Sequence, residues 1–392
     1  MNGASVFRIG LLRLTDAAPL IMARELGYFA MENLDVSLSV EPSWANIADK
    51  LAYGFLDGAL MLAPLAMALA LGLSGSSGPE AIVVPAALSL DGNTVTLAES
   101  WAADVLSVEL RPSAVETALN FRAVLERRGA RPVLGVVHTF STHNLLLRYW
   151  LASGGIDLAR DVTFTVVPPA ETVDAVRAGK IDGFCAGAPW GEVAARAGIG
   201  RTVATSHAIW NHGTEKVFAV RQRVADEEPA RLQAALRAVL QAASYCDNPA
   251  NALSVADVLA QERYLGLPAD IILTSLPGAQ FRPTPGRRNA DVSTFFGNAA
   301  TFPWRSHASW FLSQMLRWGY LTTENESRRA VAVFRPELYC EAAQSLGLPI
   351  PKASLKSEGT HSQPWLLPAS PEAITMGPDL FMDGAHFDVS FD

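Results

Sequence analysis

The sequence predicts an α/β fold of two similar lobes with a ligand cleft between them. Three observations carry this prediction. The chain repeats itself at an offset of about 125 residues, each copy alternates strand-like and helix-like patterns, and capping signals fall where a strand gives way to a helix.

The repeat is clearest element by element. "RIGLL" (Arg8 to Leu12) lies over "VLGVV" (Val133 to Val137), two β-rich runs with a central glycine. "TDAAPLIMARE" lies over "FSTHNLLLRYW", each a capping signal followed by an amphipathic helix. "DVSLSVEP" (Asp35 to Pro42) matches "DVTFTVVP" (Asp161 to Pro168), period-2 strands that end in proline. "AYGFLDGALMLAPLA" matches "RAGKIDGFCAGAPWG", with Gly54/Gly179, Asp57/Asp182, Gly58/Gly183 and Pro64/Pro189 coincident. Each copy is thus strand–helix–strand–helix–strand, the pattern of a parallel sheet with right-handed crossovers. Ligands of open α/β sheets gather at the loops that follow the strands. Those loops are Thr15–Pro19, Pro42–Asn46 and Ala63–Leu65 in one lobe and Phe140–Asn144, Pro168–Thr172 and Gly187–Gly191 in the other.

Boundaries follow from this. Residues 1–98 form the first part of lobe 1, 99–208 form lobe 2, 209–350 return to lobe 1, and 351–392 are an extended tail anchored by Trp365, Leu366 and Phe381. A strand is expected at Lys216–Arg221, and helices at Pro229–Cys246, Asn251–Glu262 and His307–Trp318. The apolar stretch Ala59–Leu73 is interrupted by Pro64 and falls short of the ~20 residues of a membrane span. It is expected to be a buried strand, a turn, then a buried helix.

Bulk composition removes several function classes. The 392 residues are 49% hydrophobic and 18% charged, a compact globular balance. A net charge of −8 argues against direct nucleic-acid binding, and an anionic ligand would need locally placed donors. Cys185, Cys246 and Cys340 are an odd number at wide spacing, without metal-site or disulfide logic. The N-terminal run "MNGASVFRIGLLRLTDAAP" lacks the pattern of an export signal, which points to the cytoplasm. No P-loop, G-x-S-x-G, H-E-x-x-H or strand-borne G-x-G-x-x-G occurs, and no catalytic constellation is expected. Cys185 is expected to be a core thiol, and His207 and His212 surface residues.

Five residues are candidates for a ligand site, each with an ordinary alternative. Trp44 opens a helix after Pro42-Ser43 and is a core plug, a rim aromatic or an indole N–H donor. Asn93 follows Asp91-Gly92, itself a hairpin signal, so it is a turn residue or an amide ligand. His143 stands in the first turn of a helix capped by Ser141 and stopped by Gly154-Gly155, where unpaired N–H groups favour an anion. The alternative is a satisfied surface histidine. Gly187 opens the "GAPW" turn, where a backbone N–H can approach a ligand, and Lys216 begins a strand where Glu215 can simply pair with it. Together the set offers donors and not acceptors, which favours a small oxyanion.

At this point the chain resembles the nitrate/bicarbonate-binding branch of ABC-transporter solute receptors. The segments that carry the likeness are "DAAPLIMARELGYFAMENLDV", "SWANIADKLAYGFLDGALMLAPLAMALALG", "STHNLLLRYWLASGGID", "VVPPAETVDAVRAGKIDGFCAGAPW" and "IWNHGTEKVFAVR", spread over residues 7–320. The resemblance implies a type II periplasmic-binding-protein-like clamp, no enzymatic activity, no cofactor, and a nitrate or nitrite pocket at Trp44, Asn93, His143, Gly187 and Lys216. One departure is Gly92-Asn93-Thr94, where nitrate receptors resemble Asn-Gly-Gln, so the amide here is shorter or displaced. Bicarbonate members use calcium and acidic pocket groups, and no acidic cluster is evident in the sequence. The absent export pattern resembles the cytoplasmic nitrate sensors of NasS type, which implies an RNA-binding antiterminator of the ANTAR class (NasT type) as partner, with no direct nucleic-acid or membrane contact. The rival readings are a periplasmic receptor without its leader, an enzyme of the same fold, and a sulfonate receptor.

Overall fold

The computed structural model describes residues 6–74, 81–106, 112–278, 293–322 and 327–389. Ten strands build two five-stranded sheets. They are β1 (Phe7–Leu11), β2 (Val36–Val40), β3 (Gly58–Leu62), β4 (Ile82–Leu90), β5 (Asn93–Ala98), β6 (Val133–Val136), β7 (Thr163–Val166), β8 (Gly183–Gly187), β9 (Gly200–Thr205) and β10 (Thr214–Arg221). The sheet orders are β2-β1-β3-β10-β4 and β7-β6-β8-β5-β9. In each sheet the three strands of one repeat are parallel, and the fourth strand runs antiparallel to the third. The two lobes are therefore the same arrangement twice.

Two crossings join them. The chain leaves β4 at the edge of the first sheet, passes through Asp91-Gly92, and enters the second sheet as β5. It leaves β9 at the edge of the second sheet and returns as β10, by way of a short helix at Ser206–Ile209. The crossings lie side by side, since the Asp91 N–H donates to the Gly213 carbonyl at 3.1 Å. This corrects two expectations. β5 belongs to lobe 2, so the first boundary falls at 91–92 and not at 98. Asp91-Gly92 is also not a hairpin turn: both residues do adopt positive φ (61° and 88°), but they carry the chain between sheets.

The coincident residues of the repeat have common physical jobs. Asp57 accepts the Arg8 N–H at 3.0 Å and Asp182 accepts the Val133 N–H at 2.8 Å, so each carboxylate ties the third strand of a repeat to the start of its first. Gly54 and Gly179 both hold positive φ, 76° and 64°, beyond a helix end. A side chain at Gly58 would meet Phe218 of the neighbouring β10, and one at Gly183 would meet Leu97 of the neighbouring β5. The same close strand approach recurs in both lobes.

Burial explains the apolar stretch that follows. β3 and the helix Ala63–Leu71 are buried throughout, the helix lying against β4, β10 and the helix Arg305–Arg317. A helix covered on all sides has no need of a polar face. Among the described residues, no helix is long and apolar enough to cross a membrane. The return segment supplies helices at Pro229–Asp247, Ala252–Leu259 and Arg305–Arg317, close to their expected spans.

The tail beyond residue 350 runs in short paired strands, Ile350–Pro351 with Ala369–Ser370 and Trp365–Leu367 with Ile374–Met376. Phe381 is its main anchor, buried and stacked on Trp210 at 5.2 Å, while the Trp365 indole N–H donates to the Gly377 carbonyl. Leu366 does not serve as an anchor: it is 66% exposed, because alternate residues of the short strand point to opposite faces.

Asp57 also accepts from the guanidinium groups of Arg8 and Arg221, at 3.0 Å and 2.8 Å. Burial alone would raise its pKa, but these bonds outweigh it and hold the carboxyl below its ordinary value. A lowered folded-state pKa gives stability that is present above the ordinary carboxylate value and lost as pH falls from there through the lowered folded-state pKa. Asp57→Asn should therefore cost about 1–3 kcal/mol at neutral pH. In thermal melts, the gap between wild type and variant should close as the pH falls through the lowered Asp57 pKa, and a constant gap would contradict this role.

Candidate functional site

The site assembles where the two lobes meet. The helix Thr142–Ser153 is N-capped as its sequence predicts, the Ser141 hydroxyl accepting the Asn144 N–H at 3.0 Å. This places His143 in the first turn, fully buried and not on the surface. In the same way Ser43 caps the helix Trp44–Ala52 by accepting the Asn46 N–H at 3.2 Å, and Trp44 begins it at 1% exposure. Asn93 opens β5 and Gly187 ends β8, and the two are register partners in the second sheet. Lys216 stands near the start of β10, also fully buried. The alternative of a solvated lysine is thereby removed.

A local irregularity makes the last placement work. Successive strand residues ordinarily face opposite sides of a sheet, but the β10–β4 register shifts on either side of Lys216. Glu215 and Lys216 are consequently both buried and touch each other, the Lys216 ammonium donating to Glu215 Oε1 at 2.5 Å. Pairing of the two, one alternative from the sequence, does occur. It occurs inside the protein, beside a second carboxylate, with Asp16 Oδ2 3.2 Å from the same ammonium.

Asp16 and Glu215 correct the expectation of a site with donors alone and no acidic groups. Asp16 is held by the Ser89 hydroxyl, which donates to its Oδ1 at 2.9 Å. The signal for Asp16 was present in the sequence, because it stands on the loop Thr15–Pro19 that the repeat sends to the cleft. What the sequence lacks is the partner, which lies 200 residues further along the chain in Lys216.

All five candidate residues belong to this neighbourhood. The Lys216 ammonium lies 5.6 Å from the centre of the Trp44 ring. His143 Nδ1 is 3.5 Å from Glu215 Oε1. A Cβ placed on Gly187 would stand 3.2 Å from Asp16 Oδ2 and 3.5 Å from Asn93 Oδ1, so the glycine keeps a side chain out of the cluster. Lobe 1 contributes Trp44, Lys216, Asp16 and Glu215, and lobe 2 contributes Asn93, His143 and Gly187. The lobes also bond directly at this edge: the Thr15 N–H donates to the Ala188 carbonyl at 2.9 Å and the Trp190 indole to the Arg13 carbonyl at 3.1 Å.

Several polar atoms here are buried without a protein hydrogen-bond partner. They are the Trp44 indole N–H, both ring nitrogens of His143, Glu215 Oε2, and the amide of Asn93, which lies beside Glu215 without a well-formed bond. Buried polar groups are nearly always satisfied, so this concentration makes the cluster the candidate ligand site. Lys216 has three N–H bonds and two carboxylate neighbours, which leaves one N–H for a ligand.

Electrostatics decide what that ligand can be. Burial, with the nearby Lys216 charge, holds His143 well below its ordinary pKa, so it is a neutral imidazole with one N–H to give. Burial opposes the Lys216 charge, but Asp16 and Glu215 more than compensate and raise its pKa. Burial pushes Glu215 up to about 7, against the opposing pull of Lys216, with Asp16 adding to the rise. When Glu215 is protonated, the Lys216–Asp16 pair is neutral overall and surrounded by donors from both lobes.

The remaining sequence expectations resolve individually. His138, five residues before His143, shapes its own loop by accepting the Phe140 N–H at 3.1 Å; burial lowers its pKa to about 4. Cys185 is buried in β8 and its thiol is pushed up by burial, as a core thiol should be. His207 and His212 are partly buried and not surface residues, because both face the first crossing.

Two α/β lobes joined by two adjacent crossings, with a buried polar cluster drawn from both, define the class of the periplasmic-binding-protein fold. Comparison with known proteins narrows the class. The NMT1-like family matches residues 3–260. The nitrate import ATP-binding protein NrtC of Synechocystis sp. is 37% identical over 348 residues, covering 87% of this chain and 50% of that protein. The chain thus spans about half the length of that relative. The nitrate/nitrite binding protein NrtA of Synechococcus elongatus is 30% identical over 390 residues, covering 97% of this chain and 86% of the relative. The crystal structure of the periplasmic nitrate-binding protein NrtA from Synechocystis superposes with a TM-score of 0.84 at 26% identity, covering 98% of this chain and 96% of that one. The chain belongs to the NMT1-like family, within the nitrate/bicarbonate-binding group of solute-binding proteins.

Proposed function

We propose that this chain binds nitrate or nitrite between its lobes and is a binding protein, not an enzyme. The observation that carries the proposal is the buried cluster itself, in which one ammonium N–H, a neutral imidazole, an indole N–H and an amide converge from both lobes without protein partners. A small planar monoanion can take several of these donors at once. Similarity to nitrate-binding relatives supports the same ligand.

Bicarbonate with calcium is the second reading, and Asp16 and Glu215 are what favour it. The position of Lys216 weighs against it. Its ammonium lies 3.2 Å from Asp16 and 2.5 Å from Glu215, where a cation held by both carboxylates would have to sit. The lysine supplies the positive charge that calcium would supply, so nitrate needs no metal here.

The anion is expected to bring Asn93, His143 and Gly187 onto Trp44 and Lys216, closing the lobes. A finer reading is a cytoplasmic sensor of NasS type, in which closure alters a surface that holds an ANTAR-class antiterminator. The resemblance over residues 7–320 is shared by sensors and transport receptors alike, and in the sensor the coupling of the two binding events must be reciprocal. Similarity to NrtC and NrtA equally supports the receptor of a membrane transport system.

Calorimetric titration of ligand-free protein with nitrate, nitrite, sulfonate, and bicarbonate with calcium tests the ligand. Nitrate or nitrite should bind saturably, and His143→Ala should weaken the affinity roughly tenfold or more, given ~1–3 kcal/mol for a buried hydrogen bond. Affinity unchanged in His143→Ala would remove the proposed pocket. Size-exclusion of the protein mixed with a NasT-type antiterminator tests the finer reading: a complex without nitrate that separates when nitrate is added supports the sensor. The absence of a complex in both conditions leaves the transport receptor.

A further inference from the structure

Away from the anion cluster, the two crossings bring three metal-ligating side chains together. Asp91 lies in the first crossing, between β4 and β5, and His207 and His212 lie in the second, between β9 and β10. Each offers a ligand atom, and these atoms lie within 4.8 Å of one another. We propose that Asp91, His207 and His212 form a site for a divalent transition cation of the zinc type, which ties one interlobe crossing to the other.

The chemistry of each group fits. Asp91 is 1% exposed; its Oδ2 lies 2.9 Å from His207 Nδ1, while its Oδ1 is buried without a protein partner. His212 Nδ1 lies 2.7 Å from the Pro378 carbonyl oxygen. A carbonyl can only accept, so Nδ1 carries the proton and Nε2 presents its lone pair. A backbone carbonyl that fixes the tautomer of a ligating histidine is the usual second layer of a metal site. The two imidazoles meet edge to face, with ring centres 4.9 Å apart.

Two nitrogens and one carboxylate favour zinc and its transition-metal neighbours over calcium or magnesium, which take oxygen ligands. Zinc–nitrogen bonds of about 2.0–2.1 Å place tetrahedral ligands about 3.4 Å apart. The cluster must contract by somewhat more than an ångström at its widest, a movement that a tilt of one imidazole supplies. A water would complete the fourth position.

The place of this site in the fold gives it a consequence. A clamp opens by rotation about its crossings, and a cation shared by both crossings restrains that rotation. The site also holds the tail, since Pro378 positions His212 and the Asn211 N–H donates to the Leu380 carbonyl at 2.9 Å. Gly377 permits the approach: a Cβ there would stand 2.5 Å from His212 Cε1. The anion cluster and the cation site share no residue, although Asp91 stands two residues before Asn93.

The test uses tag-free, full-length protein stripped with chelator and titrated with zinc in competition with a chromophoric chelator. Cobalt serves as the visible-spectrum probe of histidine ligation. One zinc per chain is expected, with cobalt bands of a low-coordinate nitrogen site. A His207→Gln/His212→Gln variant should lose both, its affinity falling by roughly a hundredfold or more. Asp91→Asn, which keeps the side-chain shape and tolerates the left-handed backbone, should weaken binding while leaving the melting temperature of metal-free protein close to wild type. Zinc affinity unchanged in either variant, or no stoichiometric zinc on the wild-type chain, would overturn the site.

Discussion

Everything at the site depends on one buried ammonium group. Lys216 is wholly removed from water, and an isolated charge in that position would be prohibitively costly. Asp16 and Glu215 make it tenable, and each is supplied by a different device. Asp16 comes from the first strand–helix loop of lobe 1, fixed by Ser89. Glu215 comes from the same strand as Lys216, turned to the same cluster where the register of β10 shifts. Two carboxylates and one ammonium would leave a net negative charge, which would repel an anion. The burial that raises Glu215 to about 7 lets a proton remove that charge.

Lobe 2 adds no formal charge to this arrangement. Its contributions are a neutral imidazole, an amide, and a glycine that leaves room. This division suits a clamp. The charged half is completed within lobe 1, so opening would expose no unpaired ion, while lobe 2 supplies only neutral groups across the cleft. On the proposed function, ligand recognition and lobe closure are the same event, with the crossings at Asp91-Gly92 and Ser206–Gly213 as the hinge.

The architecture was legible because it is written twice. Gly54/Gly179, Asp57/Asp182 and Gly58/Gly183 coincide since each performs the same backbone task in each lobe, and that is visible without coordinates. The helix caps at Ser43 and Ser141 were equally legible, since they depend on neighbours three residues away. The exchange of β5 and β10 between lobes was not. A strand buried on both faces carries no sign of which sheet it joins, and Asp91-Gly92 suits a crossing as well as a hairpin. The acidic side of the site was illegible for a related reason: Asp16, Glu215 and Lys216 look like ordinary charges until the fold brings them together. His207 and His212 looked like surface residues because their burial comes from the first crossing and from the distant tail.

The charge logic of the cluster is tested most directly by measuring nitrate affinity as a function of pH, in wild type and in Glu215→Gln. Nitrate carries no titrating proton in this range, and His143 is held neutral. Deprotonation of Glu215 adds a negative charge beside the anion, so wild-type affinity should fall as pH rises through about 7, by up to roughly tenfold per pH unit. Glu215→Gln should bind with little dependence on pH. A flat wild-type profile, or the same slope in the variant, would contradict a site whose charge is set by Glu215.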